Sequence, residues 1–279
     1  MSMTRRSLLA ALLVLMTISI SEGGEMREDN NESAKTEAAA ALDSVLKNVA
    51  GKRIYFGHQS VGFNILEGIS DIVKDHPGSG LNLVKTNDPL AFKVPVFAHF
   101  TVGENEDPSS KIDDFARSMD KGIGGNAEIA FFKFCYVDVN RTTNTDKIFA
   151  AYKNTMERLK NKYPQTRFVH VTAPLTVSKF SVRSLIKKVL GTEDNNIRKN
   201  TFNEMIVREY KSKDPIFDLA AIESTYPDGS RSVFTVGGKT YYSLAPEYTE
   251  DDGHLNEKGR MIMAAELLKF LSQIDTVTK

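Results

Sequence analysis

One run near the middle of the chain, Glu128-Ile129-Ala130-Phe131-Phe132-Lys133-Phe134-Cys135-Tyr136-Val137, constrains the fold more than any other stretch. It is too continuously apolar for a strand with one wet face. It fits a strand covered by helices on both sides, as in the centre of a parallel sheet. Around it, short apolar runs alternate with amphipathic patterns of helical length. Strands are expected at 53–57, 81–85, 167–172 and 216–222, and helices at 34–49, 61–76, 146–162, 194–213 and 257–274. A further helix carries Ile112, Phe115 and Met119. Such alternation implies right-handed crossovers and one three-layer α/β/α domain with a parallel sheet of about five strands. Between Ser224 and Glu250, two alternating runs flank Gly237-Gly238, which predicts a β-hairpin inserted before the final helix and placed to wall a substrate pocket.

Composition narrows the function classes. The 279 residues are 41% hydrophobic and 26% charged, so disordered and collagen-like classes drop out. Lys+Arg and Asp+Glu both total 36, and no basic stripe interleaves with aromatics, so nothing recommends nucleic acid as a partner. The single cysteine, Cys135, excludes an intramolecular disulfide and a cysteine-based zinc site. It lies in the most apolar run and reads as a buried hydrophobe. Arg5-Arg6, the apolar run Leu8 to Ile20 and the small residues Ser21, Gly23 and Gly24 read as a signal peptide over 1–24. That apolar run falls short of the roughly 20 residues that span a bilayer. Thr4-Arg5-Arg6-Ser7-Leu8-Leu9 is also similar to a twin-arginine export signal. The expectation is a secreted or periplasmic mature chain without stable membrane insertion, with a flexible leader over 25–35 and a single domain over 36–279.

Two stretches carry chemistry. Phe56-Gly57-His58-Gln59-Ser60-Val61-Gly62 follows the first strand and opens a helix, so Ser60 is expected on a strand-to-helix turn with Oγ exposed, as a nucleophile is. The plainer reading makes Ser60 the N-cap of that helix. Asp251-Asp252-Gly253-His254-Leu255-Asn256 sets a carboxylate three residues before a histidine, in a turn that opens the last helix. Asp251 would orient one ring nitrogen of His254 while the other faces Ser60, with Asp252 as the competing carboxylate; chain order is Ser, Asp, His. His58 is either a partner that positions the Ser60 turn or a structural histidine. Lys133 and Asp138 flank the end of the apolar run, where a charge needs a partner, and each would supply the other's; Asp138 is otherwise a group behind the site or on the substrate.

These residues resemble the SGNH or GDSL hydrolases. The resemblance implies a flavodoxin-like sheet, serine esterase activity and no cofactor or metal. His58-Gln59-Ser60 stands where that family has Gly-Asp-Ser. Val102-Gly103-Glu104-Asn105 is similar to the second block, whose glycine gives an N–H to the oxyanion, and Asp251-x-x-His254 followed by Leu255-Asn256 is similar to the last block. The third block, Gly-x-Asn-Asp, falls on Cys135-Tyr136-Val137-Asp138, with valine at the asparagine's position. One oxyanion donor is then missing, with Asn105 or Asn140 as its replacement. The reading is an exported hydrolase that cleaves an ester, an O-acyl group on a carbohydrate, by Ser60, His254 and Asp251, with Ser60, Gly103 and Asn105 around the oxyanion. The partner expected is a small-molecule or carbohydrate ester. Two alternatives stand beside it: a noncatalytic carbohydrate-binding protein on the same fold, and a metallohydrolase using His58, Asp251 and His254 as ligands.

Overall fold

The computed structural model describes residues 28–178 and 194–276. Its centre is β1 (Arg53–His58), whose residues are almost wholly buried because helices cover both of its faces. The remaining strands are β2 (Leu83–Lys85), β3 (Val96–Thr101), β4 (Ile129–Phe132), β5 (Arg167–Val171) and β6 (Ile216–Phe217). They form one six-stranded sheet in the order β2-β3-β1-β4-β5-β6, and every pairing is parallel. Set aside the three-residue edge strand β2, and the other five run 2-1-3-4-5 in chain order, the flavodoxin-like arrangement. The order reverses at β1, so the crevice between the C-terminal ends of β1 and β4 is where an open sheet of this kind takes a ligand.

Alternation along the strands builds two cores. Ile54, Phe56, Phe131 and Val169 face α1 (Glu28–Ala50), α2 (Val61–Asp75) and α7 (Glu257–Ser272). Tyr55, Ala130, Phe132 and Phe168 face α3 (Pro108–Asp120), α4 (Thr145–Lys162) and α5 (Asn195–Tyr210). The short α6 (Leu219–Glu223) follows β6 directly. The three expected layers are present. The hairpin is also present, as β7 (Val233–Val236) paired antiparallel with β8 (Lys239–Tyr242). Its aromatics are used within it: Phe234 stacks on Tyr241 at 5.6 Å between ring centroids, and the Arg231 guanidinium lies 3.8 Å over the Tyr242 ring.

Several boundaries differ from expectation. The sheet has six strands rather than about five, because Val96–Thr101 pairs with β1 directly after Pro95, a residue tolerated just ahead of a strand. The apolar run of 128–137 is strand only over Ile129–Phe132. Phe134 and Cys135 are equally buried but lie in the loop that follows. The strand expected over 216–222 stops at Phe217, since Asp218 caps α6 by accepting from the Ala221 N–H. The first helix begins at Glu28, so the described part of the leader expected over 25–35 is helix. The signal-peptide reading of 1–24 lies outside the described residues. No helix among the described residues is long and apolar enough to cross a membrane.

Candidate active site

Ser60 sits between β1 and α2 with φ 51° and ψ −118°, a region non-glycine residues rarely occupy and one that costs on the order of 1–3 kcal/mol to hold. It holds the N-cap position of α2, but its side chain makes no capping hydrogen bond there. Instead Oγ lies 3.0 Å from His254 Nε2. The turn closes tightly because position 62 has no side chain: a Cβ on Gly62 would stand 2.5 Å from the His58 Cβ. The helix start leaves the N–H groups of Ser60 and Val61 without an acceptor among the described residues, whereas those of Gly62 and Phe63 bond back to Gln59 and Ser60.

His254 is held from the other side. Its Nδ1 is 2.7 Å from Asp251 Oδ2, while Asp251 Oδ1 accepts the N–H groups of Gly253 (3.0 Å) and His254 (2.7 Å). Partial burial pushes the Asp251 carboxyl up, but these hydrogen bonds outweigh it and hold the pKa down at about 2. Asp252, at φ 71°, turns away from this role: its carbonyl accepts the Val177 N–H at 2.9 Å and ties the 173–178 loop to the site. The His254 loop is anchored to α2 by the Leu255 N–H, 3.2 Å from Asn64 Oδ1, and Asn256 then caps α7 through the Gly259 N–H. The structure thus brings Ser60, His254 and Asp251 together in one hydrogen-bonded row.

The supporting residues are arranged differently from expectation. The Gly103 N–H donates to Asp114 Oδ2 at 2.9 Å, and its carbonyl accepts from the Gln59 side chain, so this peptide has no donor left for an oxyanion. Gly103 is required for the turn itself: φ is 58°, and a Cβ there would lie 2.5 Å from the Lys111 backbone nitrogen. Asn105 is exposed, with Oδ1 3.2 Å from the buried Lys111 Nζ. Asn140 is occupied in its own turn, accepting from Thr142.

Asp138 pairs with Lys111 rather than with Lys133. It is 1% exposed and accepts from the N–H groups of Glu106 (2.9 Å) and Cys135 (2.6 Å), with Lys111 Nζ at 3.3 Å. It pins the loops after β3 and β4 to each other. Lys133 donates instead to the Phe134 carbonyl at 2.9 Å, and burial lowers its pKa. His58 is fully buried, with Nε2 3.0 Å from His99 Nδ1. Burial, with His99, Lys133 and Lys85 nearby, depresses its pKa to about 2, so it stays neutral and serves the packing of the turn. The ligand set of His58, Asp251 and His254 is not assembled, and no cluster of three or more His, Cys, Asp or Glu placed for a metal occurs among the described residues.

Sequence reasoning missed Tyr136. Its hydroxyl is 3.4 Å from His254 Nδ1 and 3.5 Å from Nε2, and the two rings meet nearly at right angles (79°). The available signal was Gly253, immediately before the histidine: a Cβ there would stand 2.8 Å from Tyr136 Cζ. Behind this tyrosine lies a buried charged group. Lys199 donates to Thr176 Oγ1 at 3.1 Å, and burial, against the pull of Asp194 and Glu223, lowers its pKa to about 8. Glu223 accepts the Leu175 N–H, and burial raises its pKa to about 8.

No protein-family profile matches the chain, and no curated protein does. Among solved structures it is similar to a protein from Streptococcus pneumonia provisionally assigned as a platelet activating factor, at 12% identity and TM-score 0.48, over 89% of this chain and 100% of that one. A Desulfitobacterium hafniense DCB-2 protein provisionally assigned to the G-D-S-L lipolytic family is similar at 10% identity and TM-score 0.42, over 78% and 99%. The periplasmic domain of a lipopolysaccharide acetyltransferase from Salmonella ser. Paratyphi A is similar at 13% and 0.42, over 83% and 87%. These are likenesses of fold outline, from which neither a substrate nor a residue role follows.

Proposed function

We propose that this chain is a serine hydrolase that cleaves an ester, with Ser60 as nucleophile, His254 as base and Asp251 as the group that fixes the imidazole. The observation that carries the reading is the Ser60 Oγ to His254 Nε2 separation of 3.0 Å, on a serine whose strained backbone serves no cap. His254 Nε2 takes the proton as Oγ attacks the carbonyl carbon, and Asp251 keeps the other ring proton on Nδ1. The tetrahedral intermediate collapses when Nε2 returns the proton to the departing alkoxide. Water, deprotonated by the same nitrogen, then releases the acid and restores Ser60. Turnover of p-nitrophenyl acetate tests this: Ser60→Ala should be inactive yet folded, and wild-type activity in that variant would rule the serine out.

The substrate class proposed is an O-acyl group on a carbohydrate, which rests on fold analogy alone. Acetate release from an O-acetylated polysaccharide at no better than the rate on p-nitrophenyl acetate would count against it. Export is part of the same proposal, and predicts an N-terminus between Glu22 and Met26 in protein recovered from the producing cell.

A further inference from the structure

We propose that the hydroxyl of Tyr136 donates a hydrogen bond to the oxyanion formed when Ser60 attacks, completing a pair of donors with the Ser60 N–H. This rests on the serine hydrolase reading above. A tetrahedral oxyanion needs donors about 2.7–3.1 Å from the position its oxygen will occupy. The N–H of Ser60 has no acceptor among the described residues and is available. That of Gly103 is spent on Asp114.

Position favours the tyrosine. Ser60 follows β1 and Tyr136 follows β4, the neighbouring strands at which the sheet order reverses, so the two loops flank one crevice. Both Ser60 Oγ and Tyr136 Oη lie within 3.5 Å of His254 Nε2, so the hydroxyl stands on the same side of the site as the nucleophile. The hydroxyl's contacts with the two ring nitrogens are long, at 3.4 and 3.5 Å. Both nitrogens already have closer partners, Asp251 at 2.7 Å and Ser60 at 3.0 Å. Contacts of that length hold the O–H only weakly to the imidazole. Burial, with the Asp251 carboxylate nearby, raises the Tyr136 pKa, which keeps the donor protonated. The phenolic proton stays on Oη throughout; on collapse the oxyanion's electron pair re-forms the C=O bond, and the departing alkoxide takes its proton from His254 Nε2.

Tyr136→Phe keeps the ring against Gly253 and removes the donor alone. With p-nitrophenyl acetate, kcat should fall roughly 10²–10³-fold, the usual effect of one oxyanion donor, with little change in KM. The second-order rate of inactivation by a fluorophosphonate should fall in parallel, since phosphonylation of Ser60 develops charge on the phosphoryl oxygen. The thermal midpoint and the acid limb of the pH–rate profile should stay in place. A Phe variant within threefold of wild type overturns the proposal, as does a displaced acid limb, which would give the hydroxyl to His254. Loss in Asn105→Ala with none in Tyr136→Phe assigns the role to Asn105 and also overturns it. If Ser60→Ala is inactive while Tyr136→Phe is unimpaired, the tyrosine alone is wrong. If the wild type neither turns over the ester nor reacts with the phosphonate, the hydrolase reading fails and this one falls with it.

Discussion

Replacing Asp251 by asparagine separates the charge of this group from its shape. Oδ1 accepts two backbone N–H groups, at 3.0 and 2.7 Å, and more distantly the Thr249 hydroxyl at 3.4 Å, while Oδ2 faces Nδ1 at 2.7 Å, so every neighbour offers a hydrogen to a group that accepts at both oxygens. Asparagine has one accepting oxygen. If that oxygen keeps the two backbone bonds, the new NH2 faces Nδ1 and forces the ring proton onto Nε2, where it blocks transfer from Ser60. Turned over, the amide feeds Nδ1–H but aims its own hydrogens at two N–H donors. The first arrangement keeps more bonds, so the unproductive tautomer should dominate. In a fully enclosed triad this exchange costs about 10⁴ in kcat. Here the His254 and Asp251 side chains are 43% and 57% exposed, so water supports part of the lost contact. The expected loss is about 10²–10³ in kcat, roughly 3–4 kcal/mol in the barrier. Steady-state kinetics on p-nitrophenyl acetate between pH 6 and 9 measure it, with Asp252→Asn as the control that should stay near wild type. An Asp251→Asn variant within threefold of wild type, or loss in Asp252→Asn instead, would refute the tautomer argument.

Two further outcomes follow from the buried charges near the site. Lys111→Met leaves the Asp138 carboxylate unpaired at zero side-chain exposure; breaking such a pair costs about 3–5 kcal/mol, and at about 2–4 °C per kcal/mol the melting point should drop on the order of 10 °C. Adding Asp138→Asn should recover part of that drop in a thermal scan, and no drop in the single variant would contradict the pairing. Glu223 has a folded pKa of about 8 against 4.5, so the folded state holds a proton that the unfolded state releases across that window. Its contribution to stability is full below pH 4.5 and lost as pH rises to 8. Denaturant unfolding at pH 5, 6.5 and 8 should show the wild type losing stability relative to Glu223→Gln as pH rises, and a constant difference would count against it.

Sequence made the relation of Ser60 to His254 and Asp251 legible because each motif states its own local geometry. A serine between an apolar run and a helix has few places to sit, and Asp-x-x-His spans one turn. The layers were equally readable from periodicity. What escaped depends on contacts made across the fold. Gly103 looks the same in sequence whether its N–H faces an oxyanion or Asp114, and only the packing of α3 settles which. Lys111 reads as one more polar residue of an amphipathic helix, yet it is wholly buried and takes the carboxylate that proximity in sequence had offered to Lys133. Burial also misled where it continued past the strand: Phe134 and Cys135 are as enclosed as β4, so the apolar run could not show where pairing stops. The strand at Val96–Thr101 was obscured by Pro95, although proline removes no ladder bond from that position. Tyr136 falls at the unspecified second position of the third block, and beyond the facing Gly253 its meaning comes only from the histidine it meets 118 positions later.

The central claim is that Ser60 is activated by His254. Incubating the purified protein with a fluorophosphonate and mapping the adduct by peptide mass spectrometry tests it without knowledge of the natural substrate. The account predicts a single phosphonyl group on Ser60, formed rapidly in the wild type and lost in His254→Ala. A protein that stays unmodified, or one that carries the adduct elsewhere at the same rate with and without His254, would contradict it.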